Sequence, residues 1–178
     1  EFAQESNGGR LVKRLTSFRG AFISYWVSSP LEDPSIALSD DGRCWKTPYL
    51  PAQLGVRSSS HIYPSYFIID SSGFPSMGSV KTVRLWGIVE GSLNTKTFWS
   101  ASATPDGPLR PLIDGGFTWA HLGTFVYNIH DSTRAQTFYI PEQYAEQNIS
   151  FGVFALEILD NWGARASTTC IQRVRIYG

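Results

Sequence analysis

The sequence predicts an all-β fold, a β-sandwich of the jelly-roll kind with a β-hairpin before it. Short runs that alternate or are continuously apolar recur along the 178 residues, and glycine and proline separate them. Strong helical periodicity, heptads and internal repeats are absent. Hydrophobic residues make up 42% of the chain and aromatic residues 14%. The chain is therefore long and apolar enough for one domain with its own core.

The predicted elements follow one another with turn residues between them. Two apolar arms flank Arg19 and Gly20 and predict the hairpin over residues 8–29. Seven further strands are predicted at residues 54–58, 64–70, 80–89, 122–127, 136–140, 151–159 and 170–177. Residues 90–121 lack the regular alternation of strands and turns, because they are rich in loop residues. A connection of this length is usually functional or packed on itself. The prediction is one domain over residues 1–178, with a loop-rich insertion at 90–121.

The last predicted strand has a two-residue period, which is typical of a half-buried strand. One predicted face is formed by Cys170, Gln172, Val174 and Ile176. The other is formed by Ile171, Arg173, Arg175 and Tyr177. A strand at the end of a domain frays unless it is paired, so we expect these residues to close the fold.

The charge balance excludes some classes of partner. The formal net charge is zero, whereas nucleic-acid binding needs a clustered excess of Lys and Arg. One basic cluster is present, and a solvated loop is its ordinary interpretation; it consists of Arg10, Lys13, Arg14 and Arg19. No apolar run approaches the roughly twenty residues of a membrane span. We therefore expect any membrane attachment to come through an upstream segment.

Catalytic motifs are missing from the sequence. His61, His121 and His130 lack metal-ligand spacing, and no Cys-x-x-Cys occurs. A nucleophile elbow, a P-loop and a dinucleotide fingerprint are also absent, although a dispersed serine triad stays open. We expect a protein that is not an enzyme.

Three further residues leave alternatives open. Cys44 and Cys170 are either free buried thiols or a disulfide formed in an oxidising compartment. Asn148 begins an Asn-Ile-Ser sequon for glycosylation, a short pattern that often arises by chance.

The C-terminal stretch FALEILDNWGARASTTCIQRVRIYG, residues 154–178, resembles the end of a SUN domain. A strand leads there into an Asn-Trp-Gly turn, followed by a cysteine, a final strand and a terminal glycine. Other pieces agree in order: FAQESNGG at 2–9, GRCWKT at 42–47, LGVRSSSHIYPSYFIID at 54–70, KTVRLWG at 81–87 and LGTFVYNIHDSTRAQTFYIPE at 122–142. The resemblance runs from residue 2 to residue 178.

The resemblance implies a binding module of the LINC complex. SUN domains lie in the perinuclear space at the inner nuclear membrane, trimerise below a coiled coil, and bind C-terminal tails of KASH proteins, which links the nucleus to the cytoskeleton. The tail adds as a strand against a hairpin lid. The hairpin at 8–29 stands where the lid is expected, with binding residues Leu11, Leu15, Phe18, Phe22, Ile23 and Tyr25. Removal of residues 11–26 is then expected to abolish partner binding and leave the sandwich folded; a hairpin packed on its own core is the alternative.

Three further sites follow from the resemblance alone. Cys44 and Cys170 match the intramolecular disulfide of the family. The pocket for the tail carboxylate falls on Gly78, Ser79, Thr168 and Gln172. A loop that holds a monovalent cation such as K⁺ through backbone carbonyls is shorter here than in the family, and its matching residues are Ile36, Ser39, Asp40 and Arg43. No other cofactor is expected.

This sequence also departs from the SUN pattern. Thr16 or Ser17 stands where the family has a cysteine that bonds to the KASH protein, so tail binding is expected to be noncovalent. The departures favour a divergent lineage, with fungi as one candidate source. The isolated domain is expected to be a monomer or a weak oligomer, because the homotrimer needs an upstream coiled coil. Two rival functions are a SUN-like protein of the endoplasmic reticulum, and a glycan-binding jelly roll with Trp99 and Trp119 as sugar platforms.

Overall fold

The computed structural model describes residues 1–17, 33–71, 78–101, 110–163 and 168–178. Over these residues the chain forms nine strands, β1 Arg10–Leu11, β2 Trp45–Thr47, β3 Ala52–Ile62, β4 Tyr66–Ser71, β5 Val80–Ile88, β6 Trp119–Val126, β7 Ala135–Tyr139, β8 Phe151–Asn161 and β9 Thr169–Tyr177. The helices are α1 Ser92–Ala101 and α2 Gln143–Glu146, with 3₁₀ turns at Glu5–Asn7, Lys13–Leu15 and Pro34–Leu38. All seven strands predicted after the hairpin are present.

The strands form two antiparallel sheets, which confirms the predicted β-sandwich. The five-stranded sheet has the order β1-β3-β8-β5-β6, and the four-stranded sheet has the order β2-β9-β4-β7. The C-terminal strand β9 lies between β2 and β4: Thr169–Ile171 pair with β2, and residues from Ile171 to Tyr177 pair with β4, so the last strand is paired, as predicted.

The main core fills the space between the two sheets. Leu54, Leu85 and Leu156 contribute to it from the five-stranded sheet, and each is at most 1% exposed. Phe67 of the four-stranded sheet is fully buried and lies 5.1 Å from Phe138, centroid to centroid. Burial of one such side chain stabilises the fold by roughly 1.5–3 kcal/mol, so this cluster dominates the free energy of folding.

The five-stranded sheet is covered on its outer face as well. Leu15, Ile88 and Val153 form a second buried cluster there, and they pack with Val12, Ile113, Phe117 and Trp119. Gly55 allows this cover to approach, because a Cβ at that position would lie 2.6 Å from Cβ of Leu15. Central strand β8 is therefore buried on both faces over most of its length.

Strand β9 contains an irregularity that the sequence pattern does not show. Asp70 of β4 faces Arg173, but the next residue, Ser71, faces Ile171, so Gln172 is an extra residue in β9. This β-bulge shifts the alternation by one residue. Ile171 is consequently buried like Val174 and Ile176. The predicted grouping of Cys170 with Val174 and Ile176 is wrong.

The region 90–121 was predicted to be loop-rich, and this is wrong for two parts of it. Ser92–Ala101 form the ten-residue helix α1, and residues 119–121 belong to β6. Asn94 of α1 donates a 2.9 Å hydrogen bond to the carbonyl of Ser150, and Phe98 packs against the main core. In the parts of the chain that are described, no helix is long and apolar enough to cross a membrane.

Candidate functional site

The predicted disulfide is present between Cys44 and Cys170, whose Cα atoms lie 5.6 Å apart. Cys170 pairs with Lys46 across the β2–β9 ladder, so the bond joins β9 to the residue just before β2. The two cysteines are 126 residues apart in sequence, and a cross-link over such a loop restricts the unfolded chain strongly. A disulfide of this kind fits a lumenal or extracellular compartment.

Gly78 and Thr168, two of the four predicted carboxylate-pocket residues, are in close contact. Gly78 has φ +125°, and a Cβ added there would lie 2.5 Å from the carbonyl oxygen of Thr168. The carbonyl of Gly78 accepts a 2.9 Å hydrogen bond from the N–H of Cys170, beside the disulfide. Thr168 is exposed, so its hydroxyl is accessible to a ligand.

The other two predicted pocket residues differ from this arrangement. Ser79 follows Gly78 directly but is only 4% exposed, and its carbonyl accepts a hydrogen bond from the N–H of Trp162. Gln172 is the half-buried bulge residue of β9, and none of the hydrogen bonds described joins it to the other three. Of the two hydroxyl residues in the predicted pocket, Thr168 is exposed and Ser79 is buried.

The Asn-Trp-Gly turn organises the same end of the sandwich. The side chain of Asn161 donates a 2.8 Å hydrogen bond to the hydroxyl of Thr169 and accepts one of 3.0 Å from Gly163. The indole of Trp162 donates a 2.7 Å bond to the carbonyl of Tyr127. The sequence singled out this turn only as a family signature. Its structural role is to fix the residues next to Thr168.

An exposed patch surrounds Trp162, which is 39% exposed. The ammonium of Lys81 lies 4.9 Å from the centre of the indole ring and 3.3 Å from the carboxylate of Asp160. The ring of His130 lies 6.4 Å away. The patch combines an aromatic face with an ammonium, and the sequence reasoning missed it because its members are far apart in the chain.

The predicted lid is only partly described. Residues 18–32, and with them Phe18, Phe22, Ile23 and Tyr25, lie outside the described residues. Ser17, which we call the root of the predicted lid, is bonded to β3: its N–H donates to the carbonyl of Gln53, and the N–H of Gln53 donates to the hydroxyl of Ser17. Gln53 is the second residue of β3, so the root of the lid is fixed to the five-stranded sheet.

Of the two predicted lid residues that are described, Leu15 is buried and Leu11 is half-buried. Leu15 is 0% exposed and packs with Ile88 and Val153, so its assignment to peptide contact is wrong. Leu11 is half-buried, packs on the main core and pairs with Val56 in β3. Residues 10–15 are therefore part of the sandwich rather than the first arm of a free hairpin. Both leucines pack on the sheet because contact with its apolar side chains removes them from water, which is favourable.

Thr16 has a structural role of its own at the root of the lid. It is 4% exposed, its hydroxyl donates to the carbonyl of Val12, and it accepts a 3.0 Å bond from the N–H of Gly55. A hydroxyl in this position secures the root to β3.

Two groups of the predicted cation loop already have partners within the protein. The carbonyl of Ile36 accepts hydrogen bonds from both the N–H and the hydroxyl of Ser39, at 3.1 and 2.9 Å, which uses both of its lone pairs. The carboxylate of Asp40 lies 2.9 Å from the guanidinium of Arg173. The hydrogen bond from Arg43 lowers the pKa of Asp41. Across the described ranges, no group of three or more His, Cys, Asp or Glu residues could hold a metal ion.

The two tryptophans proposed as sugar platforms lie in different surroundings. Trp99 is 57% exposed on α1, beside Phe98. Trp119 is half-buried in the outer cluster, where its indole donates a 2.8 Å hydrogen bond to the carbonyl of Asp114. Only Trp99 offers most of its ring to a ligand.

A family model described as Sad1 / UNC-like C-terminal matches residues 112–178. This part of the chain is SUN-like. The match covers strands β6 to β9, including the Asn-Trp-Gly turn and Cys170. The resemblance to a divergent SUN domain is thereby confirmed over residues 112–178.

Solved structures similar to this chain include jelly-roll sandwiches. A family 32 carbohydrate-binding module from Streptococcus pneumoniae EndoD has a TM-score of 0.59 at 11% identity, covering 96% of this chain and 95% of that one. A CBM32 module from Clostridium perfringens, in complex with GalNAc-β-1,3-galactose, has a TM-score of 0.57 at 10% identity, with 100% of both chains covered. A family 32 module from C. perfringens NanJ, in complex with galactose, has a TM-score of 0.52 at 12% identity, covering 84% and 88%. At these identities the likeness concerns the fold alone.

Proposed function

We propose that this SUN-like domain is a noncatalytic binding module of a LINC complex, which holds the C-terminal tail of a KASH protein in the perinuclear space. The observation that carries the proposal is the Sad1 / UNC-like match over residues 112–178, in a chain whose Cys170 is bonded to Cys44. In the whole protein the domain would form a homotrimer at the inner nuclear membrane and couple the nucleus to the cytoskeleton.

The described geometry supports one end of the sandwich as the binding end. Gln53, which holds the root of the lid, faces Glu157 in β8, four residues before the Asn-Trp-Gly turn begins at Asn161. The contact between Gly78 and Thr168 lies beside that turn. Thr168 therefore lies near the Asn161 end of β8, and Gln53 at the lid root pairs with Glu157, four residues from that end. A tail that adds as a strand along the lid and finishes in a carboxylate pocket would span this distance.

The recognition chemistry follows from these positions. The extended tail would exchange backbone hydrogen bonds with the lid, and its terminal carboxylate would accept a hydrogen bond from the hydroxyl of Thr168. The Cys44–Cys170 bond lies next to this end and restrains β9 when the tail is pulled. Binding would be noncovalent, because Thr16 or Ser17 stands where the family has its reactive cysteine.

The test uses synthetic tails of outer-nuclear-membrane KASH proteins with either a free carboxylate or a C-terminal amide. A hydrogen bond to a charged group contributes about 1.5–3 kcal/mol, so amidation or Thr168→Val should weaken binding by about tenfold or more. Thr137→Val, at an exposed position of β7, is the matched control and should bind normally. Equal affinity of the wild type for both peptides would rule out Thr168 as the carboxylate donor, and no binding to either would reject the tail-binding function.

Glycan binding is a second candidate, favoured by one observation. Family 32 carbohydrate-binding modules share the fold over 84–100% of this chain, and Trp99 exposes 57% of its surface. A glycan array with wild type and Trp99→Ala decides it, because a sugar platform at Trp99 predicts binding that the variant loses. If neither tails nor glycans bind, a SUN-like role with another lumenal partner in the endoplasmic reticulum gains support, and the location of the tagged full-length protein tests it.

A further inference from the structure

Asn148, Ile149 and Ser150 form the one Asn-x-Ser/Thr sequon of the 178-residue sequence. Asn148 lies between α2 and β8, is exposed, and has φ +55°, a left-handed conformation that asparagine adopts more readily than most residues. Its backbone N–H donates a 2.9 Å hydrogen bond to the carbonyl of Ala145. None of the hydrogen bonds described involves its side-chain amide, so this amide is accessible at the surface.

The residues that follow Asn148 are anchored, so the exposed turn has a fixed place. Ile149 is 0% exposed, and its N–H donates a 2.8 Å hydrogen bond to the carbonyl of Tyr144. The carbonyl of Ser150 accepts a 2.9 Å bond from the side chain of Asn94 in α1. The sequon is therefore a tight surface turn and not part of a buried strand.

We propose that Asn148 is a site of N-linked glycosylation. The Cys44–Cys170 disulfide fits an oxidising lumen, the compartment in which this modification takes place. The co-reactant is a lipid-pyrophosphate-linked oligosaccharide, which the host's oligosaccharyltransferase supplies. The Asn148 amide nitrogen forms a bond to C1 of the terminal sugar, the bond from C1 to the pyrophosphate oxygen breaks, the lipid pyrophosphate leaves, and the amide loses one proton to a base.

The site is compatible with tail binding, because it lies at the opposite end of the sandwich. Strand β8 runs from Phe151 to Asn161, which spans about 33 Å at 3.3 Å per residue. Asn148 precedes the start of β8, whereas Thr168 lies near its far end, and Gln53 at the lid root pairs with Glu157, six residues beyond Phe151. A glycan at Asn148 therefore leaves the proposed binding end free, and its presence does not depend on the proposed function.

The glycan would also lie on the side of the molecule that exposes apolar surface. Helix α1, tied to Ser150 through Asn94, carries Leu93 and Trp99, which are 76% and 57% exposed. A bulky hydrophilic group beside this helix would shield these side chains from association with other proteins.

The experiment is secretion of the 178-residue chain from a eukaryotic host, followed by peptide N-glycosidase treatment and mass spectrometry. We expect one species with a higher mass and a lower electrophoretic mobility than the unmodified chain. The glycosidase should restore the mobility of the unmodified chain. Ser150→Ala and Asn148→Asp should abolish the shift, and Asp tolerates the left-handed conformation of residue 148. Ser150→Thr keeps the sequon and should retain the glycan.

The positive control is Leu93→Asn combined with Ser150→Ala, because Leu93→Asn creates an Asn-Asn-Thr sequon at an exposed position of α1. The host is one in which this control is glycosylated. A wild type that is secreted without a glycan from the same host would overturn the proposal. A shift that persists in both Asn148→Asp and Ser150→Ala would overturn it equally.

Discussion

The indole Nε1 of Trp86 donates a 3.1 Å hydrogen bond to Oε2 of Glu157 on the outer face of the five-stranded sheet. Both residues are buried, Trp86 with 1% and Glu157 with 4% exposure. The other carboxylate oxygen of Glu157 accepts a 3.1 Å bond from the N–H of Leu112, and Arg84 lies 3.8 Å from Oε2. Glu157 therefore joins the sheet to the segment that covers it.

Replacing Glu157 should destabilise the domain strongly. Glu157→Ala leaves the indole of Trp86, the N–H of Leu112 and the charge of Arg84 without their partner, and such a loss at a buried site costs about 3–5 kcal/mol. Urea unfolding of the variant measures the cost. Glu146→Ala, at an exposed position of α2, is the control and should change the free energy of unfolding by less than about 0.5 kcal/mol. Similar midpoints for the two variants would contradict the role of Glu157.

His121 should make the domain less stable as the pH falls. Burial, and next the charge of Arg84, lower the pKa of His121 below its ordinary value of 6.5, while Glu157 acts in the opposite direction. The unfolded chain then binds more protons than the folded one below pH 6.5, so this contribution to stability is present at neutral pH and is lost as the pH falls. NMR titration of the ring should give a midpoint below 6.5.

The pH dependence of stability in a His121 variant tests whether His121 is the cause. The ring lies 4.9 Å from the Trp86 ring and shares a 3.1 Å hydrogen bond with the hydroxyl of Thr124. His121→Phe keeps an aromatic ring without a titrating group, so its free energy of unfolding should fall less between pH 7 and pH 5 than that of the wild type. An identical fall in both proteins would exclude His121 as the cause.

Reduction of Cys44–Cys170 should lower the free energy of unfolding. A bond that closes a loop of 126 residues restricts the unfolded chain by an amount equivalent to about 5 kcal/mol in the chain-entropy model. Urea unfolding with and without reductant measures the difference. The double variant Cys44→Ser and Cys170→Ser should unfold like the reduced protein and be insensitive to reductant. Two thiols that alkylate freely in the native, unreduced protein would show that the bond is not formed.

Gly78→Ala should disturb both the fold and the binding end. A Cβ at residue 78 meets the carbonyl of Thr168 at 2.5 Å, and φ +125° is unfavourable for any side chain. Gly42 also has a positive φ, of +73°, but a Cβ there meets nothing within 4 Å. Gly42→Ala therefore carries only the backbone strain of about 1–2 kcal/mol. A larger loss of stability in Gly78→Ala, together with weaker tail binding, is expected; equal losses would argue against the contact with Thr168.

The sequence predicted the strands well because their apolar residues recur in short runs bounded by turn residues. Phe151–Asn161 illustrates this, since its nearly continuous apolar run is what a strand buried on both faces requires. The bulge at Gln172 was not predictable, because it arises from pairing with β4. Helix α1 was missed because SLNTKTFWSA has weak helix formers and no clear apolar stripe.

Sequence reasoning also missed the segments that cover the outer face of the five-stranded sheet. Gln53 is 0% exposed, and its side chain bonds to Leu15 and to both backbone groups of Ile113. A polar residue in a strand is ordinarily predicted to face solvent, and only the distant segments at 12–15 and 110–117 explain its burial. The pairing of Cys44 with Cys170 was found because it followed from a family resemblance and not from spacing.

A deletion that removes the predicted lid without unfolding the core must keep Leu15. Leu15 is 0% exposed, and its carbonyl accepts a 2.9 Å hydrogen bond from the side chain of Gln53. Leu15→Ala should therefore cost about 2–5 kcal/mol of stability. Removal of residues 11–26, which also takes away β1 pairing at Leu11, should leave a domain that does not fold.

Replacement of residues 18–32 by a Gly-Ser linker is the cleaner change. Ser17 stays bonded to Gln53, and Asp33 still caps the turn Pro34–Leu38 through its 2.9 Å bond to the N–H of Ser35. If the replaced segment is the KASH lid, the variant should unfold in urea near the wild-type midpoint and lose tail binding in a pull-down. A second variant carries the native residues 18–32 in scrambled order. It keeps the length and composition of the segment, so it tests whether the order of its side chains matters for tail binding. Normal tail binding by the Gly-Ser variant would refute the lid. If the Gly-Ser variant and the scrambled variant both fail to fold, residues 18–32 contribute to the core.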